Sequence, residues 1–156
     1  MKRALFPGSF DPFTVGHKDI VDRALKCVAD EVVIAVGVNA DKKSATTAEE
    51  RIAAIRKVYQ NEPRVTVQTY EGLTTDFALT TGADFLLRGV RSVKDFEYER
   101  DIAEMNRRLT GIETVLLYCS PECACVSSSI VRELMSYGKD VSEFLAAPCL
   151  EKGCEK

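Results

Sequence analysis

The segment Glu31-Val32-Val33-Ile34-Ala35-Val36-Gly37-Val38 limits the possible folds more than any other stretch of this chain. β-Branched side chains favour extended backbone, and a run with almost no polar alternation has no face to give to water. Such a strand has to be covered on both sides, as in a parallel sheet held between two layers of helices. The rest of the sequence repeats the same beat. Ala4-Leu5-Phe6 reads as a short strand ended by the turn formers Pro7 and Gly8, Arg64 to Tyr70 alternates as a strand, and Phe85-Leu86-Leu87 and Thr114 to Tyr118 are two more. Between them lie helical patterns: from about His17 to Val28, from Thr46-Thr47 through about Tyr59 with Glu49 and Glu50 at capping-box spacing, Leu73 to Thr81 stopped by Gly82, and Lys94 to Leu109. Ser127 to Tyr137 follows as a helix, and Asp140 to Leu145 is expected to begin another, with Glu143 in capping position. Five strands separated by helices predict right-handed βαβ units. The expected fold class is therefore α/β: a single-domain, Rossmann-like, doubly wound parallel five-stranded sheet with flanking helices.

Residues 1–156 are expected to form one domain with a short charged tail from about Cys149, since no repeat, linker or low-complexity tract interrupts them. A composition 46% hydrophobic and 29% charged is too apolar for disorder. The formal net charge of -3 argues against a surface built to grip nucleic acid, because neutralising phosphates needs a basic excess. The apolar start at Ala4-Leu5-Phe6 breaks at Pro7-Gly8, and no later stretch suits a membrane, so neither a signal peptide nor a membrane partner is expected and the reading is cytoplasmic. In that compartment Cys27, Cys119, Cys123, Cys125, Cys149 and Cys154 read as reduced thiols. The Cys119, Cys123 and Cys125 cluster lacks the paired spacing of a structural zinc site, so no metal ligands are assigned.

In open sheets of this type ligands bind beyond the carboxyl ends of the strands, at the point where strand order reverses. Four segments fall there. Gly8 to His17 follows the first strand, Asn39 to Lys43 the second, Arg88-Gly89-Val90-Arg91 the fourth, and Val126-Ser127-Ser128-Ser129 comes shortly after the fifth. Glycines allow close backbone approach, hydroxyls donate, Lys and Arg carry charge, and helix starts at His17 and Ser127 offer free N–H groups. Together these suit a polyphosphate. His17, the only histidine, either caps its helix or donates to a phosphate oxygen; its glycine-rich lead-in at a strand end favours the phosphate. Arg88 and Arg91 are plausible phosphate clamps rather than plain surface charge. Lys42-Lys43 and the serine run are weaker signals, more often a solvated loop and an N-cap. A Walker loop, a nucleophile elbow and a dinucleotide fingerprint are all missing from the sequence.

Gly8-Ser9-Phe10-Asp11-Pro12 followed by Thr14-Val15-Gly16-His17 resembles the (H/T)-x-G-H signature of the nucleotidyltransferase superfamily. Arg88 to Arg91, Asp95-Phe96-Glu97-Tyr98-Glu99, Met105-Asn106-Arg107 and Ser127-Ser128-Ser129-Ile130-Val131-Arg132-Glu133 are similar to the phosphopantetheine adenylyltransferase family in particular. The resemblance runs from Arg3 to about Leu145. It implies transfer of AMP from ATP to 4′-phosphopantetheine, giving dephospho-coenzyme A and pyrophosphate. It also implies roles: Ser9, Phe10 and His17 toward ATP; Ser9, Lys42, Thr74 and Arg88 toward the acceptor; Gly89, Val90, Arg91 and Glu99 with Cys123, Ala124, Cys125, Val126, Ser127, Ser128 and Ser129 around the adenylate. His17, Lys42, Arg88 and Arg91 would stabilise the transition state, with Mg²⁺ accompanying the ATP. A homo-oligomer, a hexamer, is expected by resemblance alone. The sequence departs from the family at Ser9, where threonine is commoner, at Cys123-Ala124-Cys125, often aromatic or apolar elsewhere, and in the tail after Pro148. Rival readings are another adenylyl- or cytidylyltransferase, a silent nucleotide sensor, and a redox or metal protein built on the cysteines.

Overall fold

The computed structural model describes residues 1–38 and 44–148. Five parallel strands, β1 (Arg3–Gly8), β2 (Glu31–Gly37), β3 (Val65–Tyr70), β4 (Phe85–Val90) and β5 (Glu113–Tyr118), form one sheet in the order β3-β2-β1-β4-β5. Strand order therefore reverses between β1 and β4. The helices are α1 (Val15–Cys27), α2 (Ala48–Val58), α3 (Thr74–Thr81), α4 (Val93–Thr110) and α5 (Ser128–Ser136).

The continuous apolar run of β2 is buried because both its faces are packed. Ile34 and Val36 join Phe6, Leu87, Ile20, Val21 and Ile55 in a cluster under α1 and α2. Val33 and Ala35 join Leu5, Leu86 and Ala78 in a second cluster on the α3 side. Alternate residues of each strand thus feed opposite layers, as the two-residue period of a strand requires.

β1 is longer than the sequence suggested. Pro7 and Gly8 stay in register with Ala35 and Val36 of β2, whereas pairing with β4 stops at Leu5↔Leu86. Pro7 has no N–H to continue a ladder on that side. β1 and β4 part there, and Arg88 Nη1 donates to the Pro7 carbonyl at 2.7 Å across the opening. A crevice consequently opens at the reversal of strand order, where open α/β sheets bind ligands.

One local reading is corrected and one turn is added. Asp140 to Leu145 is not an α-helix: Asp140 Oδ1 accepts from the N–H and hydroxyl of Ser142, and the chain makes a single 3₁₀ turn, Ser142–Phe144. A second such turn, Pro121–Cys123, had no signal apart from its proline. Beyond residue 144 the chain runs back over the first crevice segment, where Leu145 forms an antiparallel bridge with Thr14 and Ala146 N–H donates to the Phe13 carbonyl. Val126, Val131 and Val141 pack beneath this strap with Val15, Leu134, Phe144 and Leu145.

Candidate active site

The crevice is a cavity of about 410 Å³ whose walls come from the carboxyl ends of β1 and β4, the start of α1, and the loop leading from β5 into α5. Ser9, Phe10, His17, Arg88, Gly89, Arg91, Glu99, Cys123, Val126, Ser127, Ser128 and Ser129 all line it. Three residues expected there do not. Val90 is buried with its carbonyl taken by Cys119 N–H, and Ala124 and Cys125 are exposed away from the cavity. Lys42 lies outside the described residues.

His17 is held by two constraints that the sequence contains. α1 begins at Val15, so His17 is its third residue and completes a capping box with Thr14. The His17 N–H donates to Thr14 Oγ1 at 3.5 Å, and Thr14 N–H donates back to His17 Nδ1 at 3.0 Å. Phe6, Phe10 and Phe13 enclose the ring, with Phe13 stacked on it at 5.4 Å between centroids. Burial first, then the positive charge of Arg91 and Arg88, lowers its pKa to about 4. At neutral pH the ring is uncharged and Nδ1 accepts, so the proton sits on Nε2. Burial is the largest cause, and His17 supplies a neutral hydrogen-bond donor rather than a charge.

The floor is shaped by close approach. Phe10 adopts a left-handed φ of 49°, which turns its ring back over β1, and Asp11–Pro12 is a cis peptide. A Cβ on Gly8 would lie 2.8 Å from Phe10 Cζ, and one on Gly89 would lie 3.0 Å from Ile20 Cγ1. Asp11 is buried. Burial raises its pKa, but hydrogen bonds from Thr46 Oγ1 and the Ala45 N–H outweigh that and leave the carboxyl below its ordinary range.

Arg88 is clamped. Its Nε and Nη2 donate to Glu99 Oε2 and Oε1 at 2.8 and 2.6 Å, while Nη1 reaches Pro7. Five guanidinium N–H groups less three used leaves two for a ligand. Burial lowers its pKa, yet the Glu99 hydrogen bond and charge prevail and raise it. Glu99 was expected to shape the adenylate pocket, and its role here is to fix Arg88. Arg91 is held more loosely, by Asp95 at 3.2 Å and the Val126 carbonyl at 3.5 Å.

The serines already have structural partners. Ser127 Oγ caps α5 by accepting from Ile130 N–H, Ser128 Oγ donates to the Pro12 carbonyl, and Ser129 Oγ accepts from Arg132 Nη2. What α5 offers an anion is its first-turn N–H groups. Arg132 also donates to the Asp11 carbonyl and lines the cavity, as do Asp95 and Tyr98. These three were missing from the residues expected at the site, although their helical spacing, facing the strand ends, would have pointed to them.

Thr74 lines a separate cavity of about 220 Å³ with Leu73, Ile102, Asn106 and Thr114. Pro7, Arg88 and Glu99 belong to both cavities, so Arg88 stands between the two. Tyr70 Oη and Thr74 Oγ1 share a hydrogen bond of 2.9 Å. Among the described residues no three His, Cys, Asp or Glu side chains are grouped to hold a metal ion, and Cys27, Cys119, Cys123 and Cys125 are free thiols. No helix among them is long and apolar enough to cross a membrane.

Comparison with known proteins agrees with this geometry. Residues 5–134 match the cytidylyltransferase-like family. A phosphopantetheine adenylyltransferase of Bacteroides fragilis is 54% identical over 145 residues, covering 93% of this chain and 96% of that one. Those of Porphyromonas gingivalis and Christiangramia forsetii are 53% and 43% identical, covering 91% and 97% of this chain and 92% and 99% of theirs. The fold is shared with a lipopolysaccharide core biosynthesis protein of Thermoplasma volcanium, with a TM-score of 0.55 at 20% identity over 77% of this chain and 97% of that one. With a neutral histidine donor and two arginines at the reversal of strand order, and this identity over nearly the whole length, the chain belongs to the phosphopantetheine adenylyltransferase family.

Proposed function

We infer that this chain transfers the adenylyl group of ATP to 4′-phosphopantetheine, forming dephospho-coenzyme A and pyrophosphate. The observation that carries the reading is the pair of cavities that meet at Arg88. In this reading the larger one takes ATP, and the smaller one, with Thr74, takes the acceptor arm. Both phosphates then face the two unused N–H groups of Arg88.

A phosphomonoester with a second pKa near ~6 is largely dianionic at neutral pH and attacks without a general base. One acceptor oxygen bonds to the α-phosphorus while the bond from that phosphorus to the β-bridging oxygen breaks, and the electron pair leaves with pyrophosphate. The protein's part is positioning and charge stabilisation. His17 Nε2–H donates to a phosphate oxygen, Arg88 and Arg91 offset the negative charge, and the N-terminus of α5 faces the nucleotide. Lys42 is proposed to assist on the acceptor side. The carboxylates of Asp11, Asp95 and Glu99 are already engaged, so we propose that Mg²⁺ enters as a ligand of ATP rather than as a resident metal.

We also propose that the protein works in the cytoplasm, where ATP is supplied, and as a homo-oligomer of hexameric form. Exposed Val93, Tyr98, Met105 and Leu109 on α4 and Tyr118 at the end of edge strand β5 favour association. Light scattering on the purified protein measures its mass directly.

The deciding experiment is pyrophosphate release with ATP and alternative acceptors. We expect a higher kcat/KM with 4′-phosphopantetheine than with nicotinamide mononucleotide, and the reverse order would falsify the assignment.

A further inference from the structure

α1 carries more than His17. Two residues on, Asp19 reaches across to the loop that leaves β5. Its Oδ2 accepts from the backbone N–H of Ser120 at 3.0 Å and its Oδ1 from the Ser120 hydroxyl at 2.8 Å. One turn further, Arg23 Nη1 donates to Asp19 Oδ2 at 3.1 Å and also to the carbonyl of Tyr118. Asp19 and Arg23 therefore grip both sides of Cys119, the residue at which the chain leaves the sheet. Among the described residues, the other hydrogen bonds of residues 120–126 are internal turns, Cys123 N–H to Ser120, Ala124 N–H to Pro121 and Val126 N–H to Cys123, plus the 3.5 Å contact from Arg91. Cys119 itself is tied to Val90.

The loop so anchored forms one wall of the larger cavity through Cys119, Cys123 and Val126, and it delivers the start of α5. A loop with few ties of its own takes its position from them. Burial raises the Asp19 pKa, but the Ser120 hydroxyl and N–H, with Arg23, outweigh it and keep the carboxyl below its usual range, so the acceptor stays ionised at neutral pH.

We propose that Asp19 is a positioning residue that sets the β5–α5 loop at a fixed distance from His17, so that the nucleoside and phosphate ends of ATP are held in register by one helix. This rests on the reading of the larger cavity as the ATP site. Asp19 acts through Ser120 and touches no substrate.

The test is calorimetric ATP affinity beside steady-state kinetics for Asp19→Ala, Asp19→Asn and Ser120→Ala. Losing a hydrogen-bonded carboxylate anchor is expected to weaken ATP binding about tenfold in Asp19→Ala. KM for ATP rises with it, while KM for 4′-phosphopantetheine and kcat at saturation change less than about twofold, a split that general loosening of the fold does not produce. Asp19→Asn recovers part of the affinity, since its amide oxygen still accepts from Ser120 N–H. Ser120→Ala loses part, and in Asp19→Ala/Ser120→Ala the two losses are less than additive. Should Asp19→Ala fail to fold, Asp19→Asn and Ser120→Ala form the same cycle. Unchanged ATP affinity in a folded Asp19 variant, equal losses for both substrates, or strict additivity overturns the proposal. Failure of the functional reading shows separately, as a wild-type chain that binds ATP but releases no pyrophosphate with 4′-phosphopantetheine; the loss of affinity in the Asp19 variants still supports the proposal in that event.

Discussion

The N–H of Thr14 donates to Nδ1 of His17 at 3.0 Å, so the ring that faces the cavity is also the cap of the helix that carries it. A capping box normally uses Glu or Gln at this position. With histidine there, one ring nitrogen satisfies the backbone and fixes the tautomer, and the other is left as a donor. His17 therefore caps its helix and still lines the cavity as a donor.

His17→Ala should lower kcat by ~10²–10³ while ATP affinity changes far less, because a donor that strengthens its bond as charge moves acts on the transition state. His17→Gln keeps an acceptor for Thr14 N–H and should restore the thermal stability lost in the Ala variant. Steady-state kinetics, calorimetry and melting of the two variants separate cap from catalysis. An ATP affinity that collapses while kcat holds near wild type makes His17 a binding residue.

Stability should fall on mild acidification because of this one ring. Its pKa is 6.5 when exposed and about 4 in the fold, so between those values the unfolded chain binds a proton that the folded chain refuses. The contribution is full above pH 6.5 and is lost as pH drops toward 4. Allowing for the partial exposure of the ring, it is on the order of 2 kcal/mol. Urea titrations at pH 7 and pH 5 should show a smaller loss for His17→Gln than for wild type. Parallel loss in both would locate the acid sensitivity elsewhere.

Arg88→Ala should damage folding as well as turnover. Its removal leaves the Glu99 carboxylate, buried and bonded on both oxygens by Arg88, without a partner, at a cost of about 3–5 kcal/mol. Adding Glu99→Gln should recover most of the stability and none of the activity. Arg91, more exposed and loosely tied, should show the opposite balance, with near-normal melting and weaker nucleotide binding. Thermal denaturation beside kcat for the three variants checks both halves.

Gly8→Ala should be more harmful than its size suggests. The new methyl meets the Phe10 ring at 2.8 Å, and that ring is packed between Phe6, Phe13 and His17. Over-packing of this kind costs about 1–3 kcal/mol, and the displaced ring should carry kcat down with it. Wild-type melting and turnover in Gly8→Ala would mean that the ring moves freely.

The layered fold was legible because β2 has no polar alternation and each helix has a cap or a stop, Thr47 with Glu50 in α2 and Gly82 after α3. Crevice residues on β1 and β4 were legible for a related reason, since chemistry collects where strand order reverses. What escaped depended on side chains far apart in the chain. Nothing local says that Arg88 is spoken for by Glu99 or that Arg132 reaches Asp11. Asp140 to Leu145 misled because Asp140 bonds Ser142 at the start of a single turn as readily as it would at the start of a helix, and the bonds of Thr14 and Phe13 to residues 145 and 146 draw the chain away beyond it.

That strap from the far end of the chain also imposes an order in time. Thr14, which pins His17, is itself pinned by Leu145, and Phe13, stacked on the ring, is held by Ala146. During synthesis His17 is made well before Leu145 and Ala146, the residues that complete the restraints on it. A nascent chain can therefore hold most of its sheet while its histidine still lacks two of its restraints, and the ring reaches its final setting only after residue 146 has emerged.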